Sequence, residues 1–408
     1  MEQCVITSAA RTAVGSYLGS LKTVPVQTLA SAVIKEAIKR SKLEPEHIDS
    51  VIMGHALPSA EAPNMARVAS LLAGLNEATP AFTVDRQCGS GLQAIISATQ
   101  EIQTGNAEIL IAGGAESMSR AVYYMQPSAR YEGFRMGHSM VYDAFAKGVE
   151  NCQPPELYPG VNMGITAENV VARHGISRQD QDEFALTSQR KAVAAISAGR
   201  FTEEIVPFEV VSKKEKIIFE TDEYPKPNAS LDALAKLKPA FQKDGTVTAG
   251  NASGMNDGAS AVVVMSETKC RELGLDPLAR IVAHAVTGLD PRVMGLGPVS
   301  AIQTVLKKAG LQVEDIDLFE INEAFSGQAL GVLKELGMYP GSPLYERVNV
   351  NGGAVALGHA LGSSGSRILT TLIYELKRRG GRYGVASLCI GGGQGIAMLV
   401  ETVPKEGE

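Results

Sequence analysis

The sequence predicts an α/β fold built from two similar halves that flank an inserted subdomain. Short apolar runs rich in β-branched residues alternate with segments whose apolar residues recur at helical spacing, which is typical of α/β proteins. The same order of elements occurs twice. Between the two copies, Tyr, Met, Arg, Pro and Lys become frequent and the alternation fades. We therefore expect an N-terminal half (1–121 with 246–272), an insertion (122–245) that covers a ligand site, and a C-terminal half (273–408).

Length, charge and cysteine usage exclude several protein classes. With 408 residues the chain can form two or three domains with substantial cores. A net charge of −6 argues against a nucleic-acid partner. No apolar run is long enough to span a membrane, and the first residues resemble neither a signal nor a transit peptide. The five cysteines include no C-x-x-C pair, so we expect a cytoplasmic protein without a disulfide framework or a metal site.

The first half begins with alternating strands and helices. The patterns predict strands at 5–7 and 51–53 and helices at 29–38 and 65–73. A strand at 82–84 is followed by Cys88-Gly89-Ser90-Gly91, and apolar residues from Leu92 to Ile102 then continue at helical spacing to a stop at Gly105. A further strand at 109–112 is expected to end at Gly113-Gly114.

Cys88 is thus predicted on a strand-to-helix turn, where the dipole and free N–H groups of the helix N-terminus favour a thiolate. Two other readings stay open for this stretch. A lone cysteine is most often a small buried hydrophobe. The segment 89–94 also fits the G-x-G-x-x-A pattern of dinucleotide-binding turns, with Glu116 placed where a ribose-binding acid is expected.

The second half repeats the first. Residues 311–322 (LQVEDIDLFEIN) align without gaps on 43–54 (LEPEHIDSVIMG), and each follows a helix that ends in basic residues. A glycine- and serine-rich turn at 362–365 opens a predicted helix that Gly380 stops, as the turn at Cys88 opens its own helix. A strand at 385–388 then ends before Gly391. Helices are predicted within the insertion at 167–171 and 180–197.

Four polar residues are predicted at carboxyl ends of strands, where ligand sites gather in parallel α/β sheets. They are Cys88, Asn322, His359 and Cys389. Each alone has a common structural explanation, such as a helix cap for the asparagine. Together they can supply a Cys–His nucleophile, a second thiol that moves a proton, and an amide that stabilises an oxyanion.

Six segments in chain order resemble the thiolases, most closely the branch of acetyl-CoA acetyltransferases (acetoacetyl-CoA thiolases). They are VDRQCGSGLQA (84–94), GGAESMS (113–119), TAGNASGMNDGA (248–259), NEAF (322–325), NVNGGAVALGHALGSSG (349–365) and CIGGGQG (389–395). The resemblance implies a five-layer α-β-α-β-α fold. It also implies condensation of two acetyl-CoA to acetoacetyl-CoA and the reverse thiolysis, with coenzyme A as substrate and product, no further cofactor, and a homotetramer or homodimer.

The resemblance also implies residue roles. Cys88 would be acylated, His359 would activate it, and Cys389 would exchange a proton with the α-carbon or with CoA. Asn322 would hold a water in one oxyanion site, and the backbone N–H groups of Cys88 and Gly391 would form the other.

Other motif matches are expected to contact the substrate. Ser253 would touch the pantetheine arm, Met163, Phe325 and Phe241 would shape the acyl and CoA pocket, and Lys226 would lie near the nucleotide phosphates. Two positions depart from the family pattern. Asn162 stands where many acetoacetyl-CoA thiolases have histidine, and it is expected in the substrate pocket, where its amide can donate a hydrogen bond to a thioester or a water but cannot titrate. Ala360 replaces the proline that usually follows the catalytic histidine.

Three rival functions remain at this point. A longer-chain 3-ketoacyl-CoA thiolase would share all these motifs. An NAD-dependent dehydrogenase would use only the glycine-rich turn, and a non-catalytic CoA-binding scaffold would use only the pocket.

Overall fold

The computed structural model describes residues 2–211 and 216–403. Met1, residues 212–215 and residues 404–408, which the expected units include, lie outside the described residues. The strands are β1 (Cys4–Thr12), β2 (Gly15–Ser16), β3 (Ser50–Gly54), β4 (Ala81–Val84), β5 (Ile109–Ser117), β6 (Tyr123–Tyr124), β7 (Tyr142–Asp143), β8 (Ile205–Val206), β9 (Phe208–Val211), β10 (Lys216–Phe219), β11 (Asn256–Ser266), β12 (Ala279–Gly288), β13 (Leu318–Ile321), β14 (Tyr383–Ile390) and β15 (Gln394–Thr402). The helices are α1 (Val26–Ser41), α2 (Met65–Ala73), α3 (Ser90–Gln103), α4 (Ser128–Tyr131), α5 (Ala144–Glu150), α6 (Met163–His174), α7 (Arg178–Ser197), α8 (Leu231–Ala235), α9 (Glu267–Glu272), α10 (Gly297–Ala309), α11 (Ser326–Glu335), α12 (Ala354–Leu357) and α13 (Leu361–Arg379).

One continuous mixed sheet joins the two halves, in the order β13-β14-β15-β12-β1-β11-β5-β3-β4. In the first half β3 runs parallel to both β4 and β5, and in the second half β13 runs parallel to β14. The halves meet where β1 pairs antiparallel with β12 over residues 4–6. Strand β11 follows the insertion in sequence yet pairs between β1 and β5, which supports the proposed return to the first half near residue 246.

The layers follow from the apolar faces of the helices. Helices α1 and α2 cover the outer face of the first half, and α10 covers the outer face of the second. Helices α3 and α13 pack against each other between the two parts of the sheet, and their apolar residues share one core with both. Because burial of apolar surface is the main favourable term in folding, this central pair fixes the relation between the halves. The predicted α-β-α-β-α arrangement is confirmed.

The predicted duplication is visible in the elements themselves. Each aligned segment forms a single 3-10 turn, at Pro45–His47 and at Val313–Asp315, and each turn leads into a parallel strand. Helix α13 ends as expected, because Gly380 adopts a φ of 65° and basic residues fill the last turn.

One predicted boundary is wrong. Strand β5 does not end at Gly113-Gly114 but continues to Ser117. A side chain on Gly114 would lie 1.9 Å from the carbonyl oxygen of Gly362, and one on Gly113 would lie 2.1 Å from that of Ser260. These glycines therefore allow close contact with neighbouring backbone rather than a turn.

Among the described residues, no helix combines the length and apolarity needed to cross a lipid bilayer.

Candidate active site

A cavity of about 460 Å³ opens between the two halves and the insertion. Cys88 of the first half and His359, Cys389 and Gly391 of the second half all line it. Ser253, Met163, Phe241 and Phe325, which the motifs place in the substrate pocket, line the same cavity. The fold thus gathers at one place residues that lie up to about 300 positions apart in the chain.

Cys88 lies on a 3-10 turn between β4 and α3, as the sequence predicts. The hydroxyl of Ser90 stabilises this turn, because it accepts the N–H of Arg86 and donates to the carbonyl of Gln87. Gln87 itself has a φ of 47°, in the left-handed region that non-glycine residues rarely occupy. Such strained positions cluster at functional sites, where the surrounding structure holds them in place.

The expected preference of Cys88 for the thiolate is not what the structure gives. Burial raises the pKa of the Cys88 thiol well above its ordinary value, and the nearby thiols of Cys389 and Cys152 add to the effect. Hydrogen bonding from the backbone N–H of Gly391 works in the opposite direction and does not outweigh burial. Desolvation therefore dominates over the helix N-terminus, and Cys88 needs a proton acceptor when it attacks.

His359 is held from both sides. Its backbone N–H donates to Oδ1 of Asn256 at 2.9 Å, and its Nδ1 lies 2.6 Å from Oγ of Ser364. Since the Ser364 hydroxyl donates to the carbonyl of Ala360, it accepts from the imidazole, which places the ring proton on Nδ1. Nε2 is buried without a hydrogen-bond partner among the described residues.

The electrostatics of His359 suit a general base. Burial, with a smaller effect from Arg367, lowers the pKa of His359 to about 3. The imidazole is therefore neutral at physiological pH, with its Nε2 lone pair free to accept a proton. His359 does not, however, follow a strand as predicted. It lies between α12 and α13, and Ala360 is the residue from which α13 begins.

Cys389 is the penultimate residue of β14, and the turn after it contains Gly391, Gly392 and Gly393. Burial raises the pKa of the Cys389 thiol to about 12. A side chain on Gly391 would lie 2.9 Å from Sγ of Cys152. The glycines thus let the insertion approach the turn that carries the second thiol.

Asn322 follows β13 directly, and its N–H donates to the carbonyl of Ser387 in β14. Both polar atoms of its side chain are buried and lack a partner in residues 2–211 and 216–403. Ala324 and Phe325, which follow closely in the chain, line the cavity, whereas Asn322 itself does not. A buried amide with both ends free is suited to hold a water or a substrate oxygen.

The predicted substrate residues are built into a small apolar cluster. Phe241 and Phe325 meet edge to face with ring centroids 5.9 Å apart, and Met163 starts helix α6 beside them. Gly164 makes room for the Phe241 ring, since a Cβ there would lie 2.0 Å from it. The N–H of Ser253 donates to the carbonyl of Ala324, which positions this loop against the cavity.

Besides Asn322, two predicted residues do not line the cavity. Oδ1 of Asn162 accepts the N–H of Ile165 and so caps helix α6, which orients this amide toward its own backbone. Lys226 lies beside Tyr224, with its Nζ 5.4 Å from the ring centroid, and contributes to a separate shallow cleft. Tyr224 in turn contacts Gly254 of the cavity wall.

Sequence reasoning missed other residues of the site. Helix α5 and Cys152 of the insertion form one wall of the cavity, and the short apolar helix carries no recognisable motif. Ser364 and Asn256, which hold His359, lie inside quoted motifs, but only the folded structure shows what they contact.

The dinucleotide alternative finds no support at the residues it needs. Glu116 is buried, pairs with His55, and accepts the N–H groups of Ala56 and Gly362. A side chain on Gly91 would lie 2.8 Å from the carbonyl oxygen of Gly362, so this turn packs against α13. Glu116 and Gly91 therefore serve to hold the two halves of the fold together.

Among the residues that the structure describes, no group of three or more His, Cys, Asp or Glu side chains is arranged to hold a metal ion.

Comparison with family models gives two matches that together span almost the whole chain. The model for the N-terminal domain of thiolase matches residues 4–268, and the model for the C-terminal domain of thiolase matches residues 275–402.

Individual relatives and structures agree with these matches. A protein named acetyl-CoA acetyltransferase from Escherichia coli (strain K12) is 51% identical, over 98% of this chain and 99% of that protein. Another of the same name from Cupriavidus necator is 50% identical, over 98% of this chain and 100% of that protein. The crystal structure of the Bacillus anthracis acetyl-CoA acetyltransferase superposes with a TM-score of 0.93 at 45% identity, covering 99% of each chain. Human mitochondrial 3-ketoacyl-CoA thiolase in complex with CoA gives a TM-score of 0.91 at 43% identity, covering 99% of this chain and 98% of that one.

Proposed function

Since the chain belongs to the thiolase family, we propose that it condenses two acetyl-CoA to acetoacetyl-CoA and free CoA, and catalyses the reverse thiolysis. The observation that carries this proposal is a cavity that brings the thiols of Cys88 and Cys389 together with the neutral imidazole of His359. Covalent catalysis splits a difficult carbon–carbon bond formation into two easier acyl transfers, and all three groups take part in each.

The first transfer acylates Cys88. Its sulfur attacks the thioester carbonyl of acetyl-CoA while Nε2 of His359 takes the thiol proton. The carbon–sulfur bond to CoA then breaks, and the CoA sulfur receives a proton from Cys389 and leaves as the free thiol. Because the pKa of His359 is low and those of both thiols are high, each proton moves in step with bond formation rather than in advance.

The second transfer forms the new carbon–carbon bond. The Cys389 thiolate removes a proton from the methyl group of a second acetyl-CoA, and the resulting carbanion attacks the acetyl group on Cys88. The bond to Cys88 breaks, its sulfur recovers the proton from His359, and acetoacetyl-CoA leaves. Run in reverse, the same steps cleave acetoacetyl-CoA with CoA.

Both transfers place negative charge on a thioester oxygen, which prearranged donors stabilise. We assign one such site to the backbone N–H groups of Cys88 and Gly391, both of which line the cavity. We assign the other to His359 together with a water held by Asn322, whose amide lacks a protein partner among the described residues.

Coenzyme A enters this scheme as substrate and product, and the chain's own groups carry every chemical step. Ser253, Phe241, Met163 and Phe325 are proposed to hold the pantetheine arm and the acyl group. Lys226 is proposed to act outside the cavity, on the phosphates. The catalytic thiols must stay reduced, which favours the cytoplasm as the working compartment.

We further propose a homotetramer or homodimer. The part of the insertion between Tyr123 and Val141 exposes large apolar side chains, among them Tyr131, Phe134 and Met136. Strand β4 lies at the edge of the sheet with Phe82 40% exposed. Exposed apolar clusters and open sheet edges both favour association with a second copy of the chain.

Steady-state thiolysis of acetoacetyl-CoA tests the proposed function. We expect turnover by the wild type and none above background for Cys88→Ser. Cys270→Ser is the matched control, because this buried thiol bonds the carbonyl of Leu275 away from the cavity. Absent wild-type turnover, or equal activity in both variants, would overturn the proposal.

A further inference from the structure

Helix α5 presents one face to the active-site cavity. The cavity-lining residues of this segment are Ala144, Phe145, Gly148, Val149 and Cys152. Their spacing of one, four, five and eight positions is that of a single helical face. The insertion therefore contributes a continuous wall to the cavity.

Gly148 leaves a gap in the middle of this wall. Its backbone is helical, and a Cβ added there would have no heavy atom of the described chain within 4 Å outside its own backbone turn. Gly164 and Gly391, by contrast, are each crowded by a neighbour. Neither conformation nor packing requires glycine at position 148, although glycine is among the least favourable residues inside a helix. Gly148 is exposed and lines the cavity, so the open space beside it belongs to the solvent-accessible part of the cavity.

This gap lies close to the reacting thioester. The thiol of Cys152 donates to the carbonyl of Gly148 at 3.2 Å, and Cys152 packs against Gly391. Gly391 in turn lines the same cavity as Cys88. Gly148 is therefore connected through Cys152 to Gly391, which lines the same cavity as the thiol that is acylated.

The surroundings of the gap are apolar. Phe145 and Val149 flank it on the helix, and Leu57, Pro58 and Val122 line the same cavity. Among the described residues that line this cavity, none is charged. Such a wall favours an alkyl chain over a polar group.

We propose that the space at Gly148 receives the alkyl chain of 3-ketoacyl-CoA substrates longer than four carbons, so that Gly148 determines the chain-length range of the enzyme. This inference rests on the proposed thiolase function and adds a substrate class to it. A larger side chain at position 148 would fill the gap and exclude those substrates while acetoacetyl-CoA still fits.

The test compares kcat/KM for thiolysis of acetoacetyl-CoA and 3-ketohexanoyl-CoA in the wild type, Gly148→Leu and Ala146→Leu. Ala146 lies on the same helix, is exposed and does not line the cavity, so it receives the same added side chain on another face. We expect the wild type to cleave both substrates. In Gly148→Leu the six-carbon to four-carbon ratio should fall by about 10- to 200-fold, the range associated with displacing a methylene from an apolar pocket. The ratio in Ala146→Leu should match the wild type.

Each contrary result has a distinct meaning. A wild type that cleaves acetoacetyl-CoA but not the six-carbon substrate overturns the chain-length inference and leaves the proposed function intact. So does a Gly148→Leu ratio equal to that of Ala146→Leu. A wild type that cleaves neither substrate overturns the proposed function itself. Thermal melting of Gly148→Leu verifies folding, since leucine is a better helix former than glycine and its midpoint should not fall.

Discussion

Ser364 offers a sharp test of how the fold prepares the catalytic histidine. Its hydroxyl lies 2.6 Å from Nδ1 of His359 and donates onward to the carbonyl of Ala360. This chain of bonds keeps the ring proton on Nδ1 and leaves Nε2 as a base. The substitution Ser364→Ala removes this acceptor. Either the buried Nδ1–H is then left without a partner, or the ring proton moves to Nε2, where it prevents His359 from acting as a base.

The size of the effect follows from the burial of both groups. Ser364 is 2% exposed and His359 5%, so water cannot readily replace the lost acceptor. A buried donor left without a partner costs about 1–3 kcal/mol. If this cost falls on the step in which His359 takes the thiol proton, kcat should drop by about 5- to 150-fold. KM should change little, because Ser364 does not line the cavity.

Thiolysis of acetoacetyl-CoA measures kcat and KM separately, and thermal melting verifies the fold. Thr370→Val is the matched control, since Thr370 is fully buried on the same helix and its hydroxyl donates to the carbonyl of Ser366. If Ser364→Ala keeps kcat within about twofold of the wild type, or loses no more than Thr370→Val, the hydroxyl does not position His359.

Three further predictions concern the other parts of the site. Cys389→Ala should condense more slowly by a factor on the order of 10²–10⁴, because the α-proton transfer loses its base. It should also form the acyl-enzyme more slowly, because the leaving CoA loses its proton donor, and wild-type rates of both steps would contradict this assignment. Burial keeps the pKa of His359 near 3 rather than 6.5, so the imidazole stays neutral as the pH falls. The plot of kcat/KM against pH should therefore show no acidic limb between about pH 7.5 and 5.5. A limb centred near pH 6.5 would refute this prediction. Gly358→Ala should lower the melting temperature more than Gly74→Ala. Both glycines have positive φ (94° and 89°), but only Gly358 is crowded, because a side-chain carbon would lie 2.4 Å from its added Cβ. Equal losses of melting temperature would show that backbone conformation alone matters.

Local sequence patterns predict the elements and the duplication well. The strand–turn–helix unit at Cys88 and the helix that begins near Gly362 both form as expected, because each combines a periodic apolar face with glycine punctuation. Gathering of Cys88, His359 and Cys389 in one cavity also agrees with the expectation drawn from the two halves.

The parts that sequence reasoning missed depend on contacts between distant segments. Gly113 and Gly114 resemble a strand end, yet they serve close packing against residues about 150 and 250 positions away. The thiol pKa of Cys88 follows burial rather than its place before a helix, and burial depends on the second half and the insertion. His359 owes its position to Asn256 and Ser364, and neither contact leaves a periodic signal.

Mapping of the acetyl group after incubation with acetyl-CoA tests the central claim most directly. Three thiols, Cys88, Cys152 and Cys389, line the cavity, so peptide mass spectrometry can distinguish which one is acylated. We predict a single acetyl group on the peptide that contains Cys88, discharged when free CoA is added. An acetyl group on Cys152 or Cys389 instead, or no covalent adduct at all, would contradict the account.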